Sequence, residues 1–591
     1  MTEPSAWTAI GAASSPSFSR DGGTVFHLRG AGLPQVWSVR RDGGGAVQLA
    51  DQGERATRLR RAPDSDRLIW SIDAGGDERD QIWLLEPGGT PRALTADARA
   101  NHELGAFSPD GGRIAFAAND RDEACFDIVV MDLTSGERRR IFEAAGSRSV
   151  TNWTGERIVF IEDRSSSDQA LWTINADTGA AQEVPRPGLA RYAAARFSKD
   201  GAAIMALSDV GGADFMRLCR IDPATGGVDT VSAPVGRDVE AWSLSPDGTL
   251  LATVENDHGY GVLRVGAVEG EREVVGGLPQ GVAGDLAWSP DGSALAFSAE
   301  GPTEPPGLYV WEGGAVRPLW RPDPQAAAGI KGADLIAFSL VSWPGLDGRE
   351  VPGWLAVPHG AVPADGWPSV VWVHGGPASQ SRAKFRPDMQ MLLSQGYAVL
   401  MPNVRGSTGY GRAWMEADDF GLRGVAVDDL VAGRHWLAAQ PGINPGRIGI
   451  MGQSYGGWMV LAAITRHPEL WRAAVDYYGI GDWFTLLRDT GPWRRQHRAL
   501  EYGVPGRHDD VLREFSPIHG VGAVTAPLLV AHGDRDPRVP MNESEQFVAA
   551  MEQHQKRVRY ERFSYAGHGF IRPEHQRRVY AAVAEHFRQH L

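Results

Sequence analysis

Seven segments of the first 300 residues share one pattern: "FSRDGGTVFHL" at Phe18, "APDSDRLIWSI" at Ala62, "FSPDGGRIAFA" at Phe107, "NWTGERIVFIE" at Asn152, "FSKDGAAIMAL" at Phe197, "LSPDGTLLATV" at Leu244 and "WSPDGSALAFS" at Trp288. Each reads as a strand end, a tight turn of the Asp-Gly kind and a second, apolar strand. The turn positions Asp21, Asp64, Asp110, Gly155, Asp200, Asp247 and Asp291 stand 43 to 47 residues apart. A polar tip and a third strand follow, as in "DIVVMDLTSGERRRIF" from Asp127. A period in the forties with four strands per unit is the signature of a β-propeller, here of seven blades. The second and fourth units lack the Asp-Gly dipeptide. A β-sandwich is the competing architecture, but even spacing over so many units is foreign to it. A propeller alone does not define a function.

The chain is 591 residues long, more than one hydrophobic core serves. "RPDPQAAAGIKGAD" (Arg321 to Asp334) is rich in Pro, Gly and Ala and reads as a linker. We therefore expect a propeller over residues 1–325 and a second domain over 326–591. The net charge of −14 argues against nucleic acid or an anionic membrane as partner. Two cysteines, Cys125 and Cys219, support neither a disulfide framework nor a cysteine metal site. The pair in "NHELG" lacks the second histidine of a zinc-peptidase helix, so no metal or other cofactor is expected. The N-terminal segment has no basic-then-apolar signal pattern and no apolar run reaches the length of a membrane span, which predicts a cytoplasmic protein.

Beyond the linker the pattern changes. "LIAFSLVSWPGLDGREVPGWLAVP" reads as a hairpin, and from Trp367 apolar strands ("SVVWVHGG", "YAVLMPNVRG", "RIGIMGQS", "AAVDYYGI", "PLLVAHGD", "VRYERFSY") alternate with helical segments. This predicts a parallel sheet covered on both faces, the α/β-hydrolase architecture. Ser454 lies in Gly452-Gln453-Ser454-Tyr455-Gly456, between a buried strand and an apolar helix. Strand, tight turn and helix form a nucleophile elbow, with Gly452, Gly456 and Gly457 expected to supply room and dihedral freedom.

A serine hydroxyl needs a base to take its proton and a carboxylate to orient that base, in the chain order serine, acid, histidine on this fold. His568, between Gly567 and Gly569 after the last strand, is the candidate base. "HGDRDPRVP" offers two acids, Asp534 and Asp536, and spacing alone leaves both open, with Asp476 and Asp482 as outside candidates. The oxyanion of an acyl-transfer intermediate needs donors: the backbone N–H of Tyr455, and a second from the Gly375-Gly376 loop of "VVWVHGGP".

The propeller repeats followed in order by "HGGP", "NVRGSTGYG", "GQSYGG", "HGDRDPRVP" and "GHGF" resemble the prolyl oligopeptidase family of serine peptidases, nearest its acylaminoacyl-peptidase and dipeptidyl-aminopeptidase branches. The resemblance spans nearly the whole chain. It implies Ser454 as nucleophile, Asp536 as the acid and His568 as the base. Where some members head the oxyanion loop with a tyrosine this chain has His374, which points to the backbone N–H of Gly376. The resemblance also implies that Arg538 holds a substrate carbonyl and that Trp483 and Phe484 wall the pocket before the scissile bond.

The function expected is a serine peptidase for short peptides, with an esterase or amidase on the same triad as the alternative. The propeller would cap the site and exclude folded proteins. A homo-oligomer is compatible with the sequence, which does not fix the oligomeric state. The tips joining second and third strands are acidic, and an acid among Asp77, Glu78, Asp122, Glu123 and Glu255 is a candidate anchor for a peptide's α-ammonium.

Overall fold

The computed structural model describes residues 3–591. The first 320 residues form five four-stranded antiparallel sheets and one eight-stranded sheet, whose two halves pack on a common core and are joined in strand pairing at the parallel pair Gly261–Val282. Both degenerate repeats build full sheets, over Ala56–Ala93 and Ser147–Glu183. The recurring Ser-x-Asp has a physical reason. In five of the turns the serine hydroxyl donates to the aspartate two residues on, at 2.6 Å for Ser19–Asp21 and 2.5 Å for Ser108–Asp110, Ser198–Asp200, Ser245–Asp247 and Ser289–Asp291. The same serine oxygen accepts the N–H that opens the next strand, as Thr24 N–H does at 2.9 Å.

The sheets close into a ring by packing and by polar contacts, among them Ser15 N–H donating to Asp285 Oδ2 at 3.1 Å and Arg41 pairing with Glu312 at 2.7 Å. The strand Ala12–Phe18 lies against Val282–Trp288, Ala294–Gly301 and Glu304–Glu312, and Ala13, Phe18 and Val25 share a core with Ala296, Leu308 and Val310.

The second domain is an eight-stranded sheet in the order Ser339–Pro344, Glu350–Ala356, Ala398–Pro402, Trp367–Val373, Ile443–Gln453, Ala474–Tyr477, Leu528–Gly533, Val558–Phe563. The opening hairpin pairs antiparallel and the remaining strands run parallel, so the sheet is mixed rather than wholly parallel. Alternate residues of each strand enter cores on opposite faces. Val371, Ile450 and Val530 pack with the helices Gly424–Ala438 and Tyr455–Arg466, whereas Val370, Met451 and Leu529 pack with Pro387–Ser394 and Pro573–His590.

Packing at both ends of the first domain runs across the expected bounds. The expected linker carries a helix, Pro324–Ala328, capped by the Asp323 carboxylate, and Ile330 is buried in the second domain's core. In the 3₁₀ turn Pro4–Ala9, Trp7 is 1% exposed and packs with Met389, Tyr477 and Phe587, so the start of the chain belongs with the hydrolase core. Local composition does not show this, because Trp7's partners lie hundreds of residues away. Among the described residues no helix is long and apolar enough to cross a membrane.

Candidate active site

The strand Ile443–Gln453 ends at Ser454, and the helix Tyr455–Arg466 begins at the next residue. Ser454 itself sits at φ 57°, ψ −121°, a region that costs a non-glycine residue about 1–3 kcal/mol. The glycines around it are needed for room, not dihedral freedom. A Cβ on Gly452 would lie 2.4 Å from Gly456 O, one on Gly456 2.3 Å from Val373 O, and one on Gly457 2.3 Å from Asp476 Oδ1. The strain is held by Ser454 N–H donating to Tyr477 O at 2.9 Å and by Trp458 N–H donating to Ser454 O at 2.9 Å.

His568 Nδ1 lies 2.6 Å from Asp536 Oδ2. A carboxylate only accepts, so Nδ1 carries the proton and Nε2 keeps its lone pair. The other oxygen, Asp536 Oδ1, accepts Arg538 N–H at 2.8 Å and Val539 N–H at 3.0 Å. Burial pushes the Asp536 carboxyl up, but the adjoining His568 and His532 outweigh it and hold the pKa below the ordinary carboxylate value. Asp534 is engaged elsewhere. Its Oδ1 accepts Tyr565 N–H at 2.7 Å, and the neighbouring Arg535 N–H donates to Ala566 O at 2.9 Å. The acid-bearing and histidine-bearing loops are thus stitched together, with Asp536 on the imidazole and Asp534 on the backbone. Asp476 is buried beneath the elbow, and Asp482 caps the helix Trp483–Asp489; neither meets His568.

Ser454 and His568 line one cavity of about 500 Å³, with His374, Gly375, Gly376, Tyr478 and Arg538. No direct hydrogen bond joins the two side chains in this structure; such bonds in free enzymes commonly close only around substrate. Tyr455 opens its helix, so its N–H has no acceptor within the helix, and the helix dipole is positive there. Among the described residues Gly376 N–H also has no acceptor, while a Cβ on Gly375 would come 3.3 Å from Ser454 Cβ. Burial lowers the His374 pKa. Its Nδ1 lies 2.7 Å from Gly375 O and its Nε2 2.9 Å from Ser407 Oγ, whose hydroxyl donates to Val404 O at 2.6 Å, and these contacts fix the glycine loop.

The propeller completes the cavity with Arg55, Gly76 and Glu78. Glu78 pairs with both Arg538 and Arg494 of the hydrolase, so Arg538 reaches the site in an ion pair between domains. Beyond this pair lies a second chamber of about 530 Å³, lined by Asp73, Asp80, Glu103, Asp163, Arg498 and Glu501 among others. Of the five acids proposed as amine anchors only Glu78 lines either space. Glu255 pairs with Arg264 at 3.1 Å, and the Asp77 and Asp122 carboxylates accept the N–H of Arg79 and Ala124 in their own turns. Other acidic tips dock the hydrolase: Asp209 pairs with Arg412 at 3.3 Å, and Asp214 accepts Ala413 N–H at 2.8 Å.

Trp483 and Phe484 do not reach the cavity. The Asp482 cap starts a helix that turns Trp483 inward, where its indole N–H donates to Phe515 O at 2.9 Å and its ring packs on Trp458 and Tyr502. Phe484 packs against the same core. Sequence reasoning also missed Glu54, which accepts the Tyr565 hydroxyl at 2.8 Å and pairs with Arg572, bracing the His568 loop from the propeller. No local pattern marks it. Among the described residues no group of three or more His, Cys, Asp or Glu side chains is arranged to hold a metal ion.

Residues 383–591 match the prolyl oligopeptidase family and residues 76–291 match the TolB beta propeller domain. The chain is 27% identical to dipeptidyl aminopeptidase BIII of Pseudoxanthomonas mexicana over 94% of its own length and 83% of that protein. It is 28% identical to an acylamino-acid-releasing enzyme of Arabidopsis thaliana over 38% of its length and 30% of that protein. Among solved structures it superposes on a Mycobacterium tuberculosis puromycin-hydrolyzing peptidase with TM-score 0.86 at 21% identity, covering 100% of this chain and 96% of the other. The acylaminoacyl peptidase of Pyrococcus horikoshii gives TM-score 0.78 at 20% identity, covering 100% and 97%.

Proposed function

We propose that this chain, whose residues 383–591 match the prolyl oligopeptidase family, is a serine peptidase that cleaves short peptides through an acyl-enzyme on Ser454. The observation that carries the assignment of roles is the Asp536–His568 hydrogen bond of 2.6 Å, set in the same cavity as a serine on a strained elbow. The Ser454 hydroxyl attacks the scissile carbonyl while His568 Nε2 takes its proton. The oxyanion is received by Tyr455 N–H and Gly376 N–H. The imidazolium, held by ionised Asp536, returns the proton to the leaving amine, and water repeats the sequence to release the acid.

We further read the eight-stranded sheet as two blades, which makes seven, with the propeller as residues 11–320 inserted into a hydrolase built from both flanking segments. The propeller forms one wall of the cavity through Arg55, Gly76 and Glu78, which favours short, flexible substrates. A cytoplasmic setting fits two buried, unpaired cysteines. The chamber beyond Glu78 favours a free N-terminus. Burial raises Asp80 to about 7 and Asp163 to about 6, so an incoming α-ammonium would meet carboxyls short of positive charge.

The test is labelling by a fluorophosphonate probe, followed by kcat/KM on matched substrates: a peptide anilide with free N-terminus, its acetylated form, and the corresponding ester. Ser454 should be labelled and the free-amine anilide cleaved. Acetylation should slow cleavage roughly tens- to several-hundred-fold, as loss of a desolvated ion pair does. Ester cleavage with no peptide cleavage would defeat the peptidase reading. Equal or faster rates for the acetylated form would defeat the amine anchor alone.

A further inference from the structure

His532 is the penultimate residue of the strand Leu528–Gly533, four residues before Asp536, and is fully buried. Its Nε2 lies 2.8 Å from Val539 O, which can only accept, so Nε2 carries a proton. Its Nδ1 lies 2.7 Å from Ser544 Oγ on the helix Asn542–Gln553 and accepts from that hydroxyl. Both ring nitrogens are therefore held, Nε2–H by Val539 O and Nδ1 by Ser544 Oγ. The same Nε2–H sits 3.5 Å from Asp536 Oδ2, the oxygen that takes His568 Nδ1–H. Val539 N–H donates in turn to Asp536 Oδ1 at 3.0 Å. The turn from Asp536 to Val539 is thus held at its carboxylate, its N–H and its C=O, with His532 gripping the carbonyl and facing the carboxylate.

We propose that His532 is a positioning residue for the reaction: it fixes the turn that aims Asp536 at His568 and presents an N–H dipole to the carboxylate oxygen shared with the base. This rests on the roles assigned to Ser454, His568 and Asp536 above. His532 touches none of the reacting atoms and acts through the carboxylate. The other polar groups around it are Asp476 on the neighbouring strand, Tyr478 after that strand, and Ser544 on the helix. A neighbouring carboxylate oxygen, Asp476 Oδ1, has no hydrogen-bond partner, so the imidazole sits between two buried acids and hydrogen-bonds the turn of the one that serves the base.

The experiment uses the full chain and a fluorophosphonate probe, with kinact and KI measured for wild type, His532→Leu, His532→Gln and Ser544→Ala, and a melting curve for each. His532→Leu should lower kinact about ten- to a hundredfold, the order lost when an outer partner of an active-site group is removed. KI should stay unchanged, because the probe's contacts are untouched. His532→Gln, whose amide N–H can occupy the Nε2 position, should recover most of kinact. Ser544→Ala, which frees Nδ1, should fall between Leu and wild type. A purely structural role would lower melting temperature in parallel with activity and give no recovery with Gln. Wild-type kinact in folded His532→Leu, or Gln as slow as Leu at equal melting temperature, overturns the proposal. If the Leu variant fails to fold, wild-type kinact in Ser544→Ala overturns it, and a lowered kinact in Ser544→Ala beside a near-native Gln variant supports it. Wild type that is not labelled at Ser454 defeats the triad assignment itself, which separates that failure from this one.

Discussion

Gly567→Ala would place a methyl group between the two domains at the residue next to the base. A Cβ there lies 1.7 Å from Gly76 O, 2.2 Å from its carbonyl carbon and 3.0 Å from Asp77 N. All three are backbone atoms, so no side chain can swing aside. Restoring ordinary contact requires the His568 loop and the propeller tip to part by about 1.5 Å, which also breaks the Gly567 N–H to Gly75 O hydrogen bond of 2.9 Å. Overpacking of this kind costs about 1–3 kcal/mol of stability. The kinetic cost is larger, because a displacement near 1 Å at a reacting group is worth about a hundredfold. We expect kcat/KM on a short peptide anilide to fall at least about a hundredfold, and fluorophosphonate labelling of Ser454 to slow in step. Gly276→Ala and Gly332→Ala, where nothing lies within 4 Å of the added carbon, serve as controls and should be neutral. Activity of Gly567→Ala within about threefold of wild type would refute the claim that the propeller tip sets the histidine's position.

Ser454→Ala and His568→Ala should each remove nearly all hydrolysis, and the double variant should lose no more than either alone, because triad members act as a unit; additive losses in single-turnover kinetics would contradict this. Asp476 is buried, which raises its pKa to about 7, so the folded protein binds a proton there that the unfolded chain has released above pH 4. That group's contribution to stability therefore falls as pH rises from about 4 to 7, and Asp476→Asn should exceed wild type in melting temperature by more at pH 8 than at pH 5. A pH-independent difference would place the strain elsewhere.

Much of the ring was legible because each repeat carries its own turn chemistry: Ser108 and Asp110 cap a hairpin using only residues within five positions of one another. The elbow was legible for the same reason. Spacing left Asp534 and Asp536 open and only the family resemblance pointed to Asp536, because their partners, Tyr565 N–H and His568, arrive from a loop some 30 residues on. Trp483 reads as a pocket wall in one dimension and becomes core once the Asp482 cap sets the rotation of its helix. The acidic tips were visible as charges, but their partners, Arg412, Arg494 and Arg538, lie in the other domain and cannot be paired by local pattern.

The burial of Trp7 against the helix Pro573–His590 has a consequence for biosynthesis. Trp7 leaves the ribosome long before the helix Pro573–His590 that completes its cover. At 5–20 residues per second that interval is about half a minute to two minutes. Throughout it an indole and an isoleucine wait without their full cover while the blades form behind them, and the hydrolase core stays incomplete until that helix arrives. A truncated product would therefore carry a finished ring and an unfinished catalytic domain, so unfinished chains should lack peptidase activity.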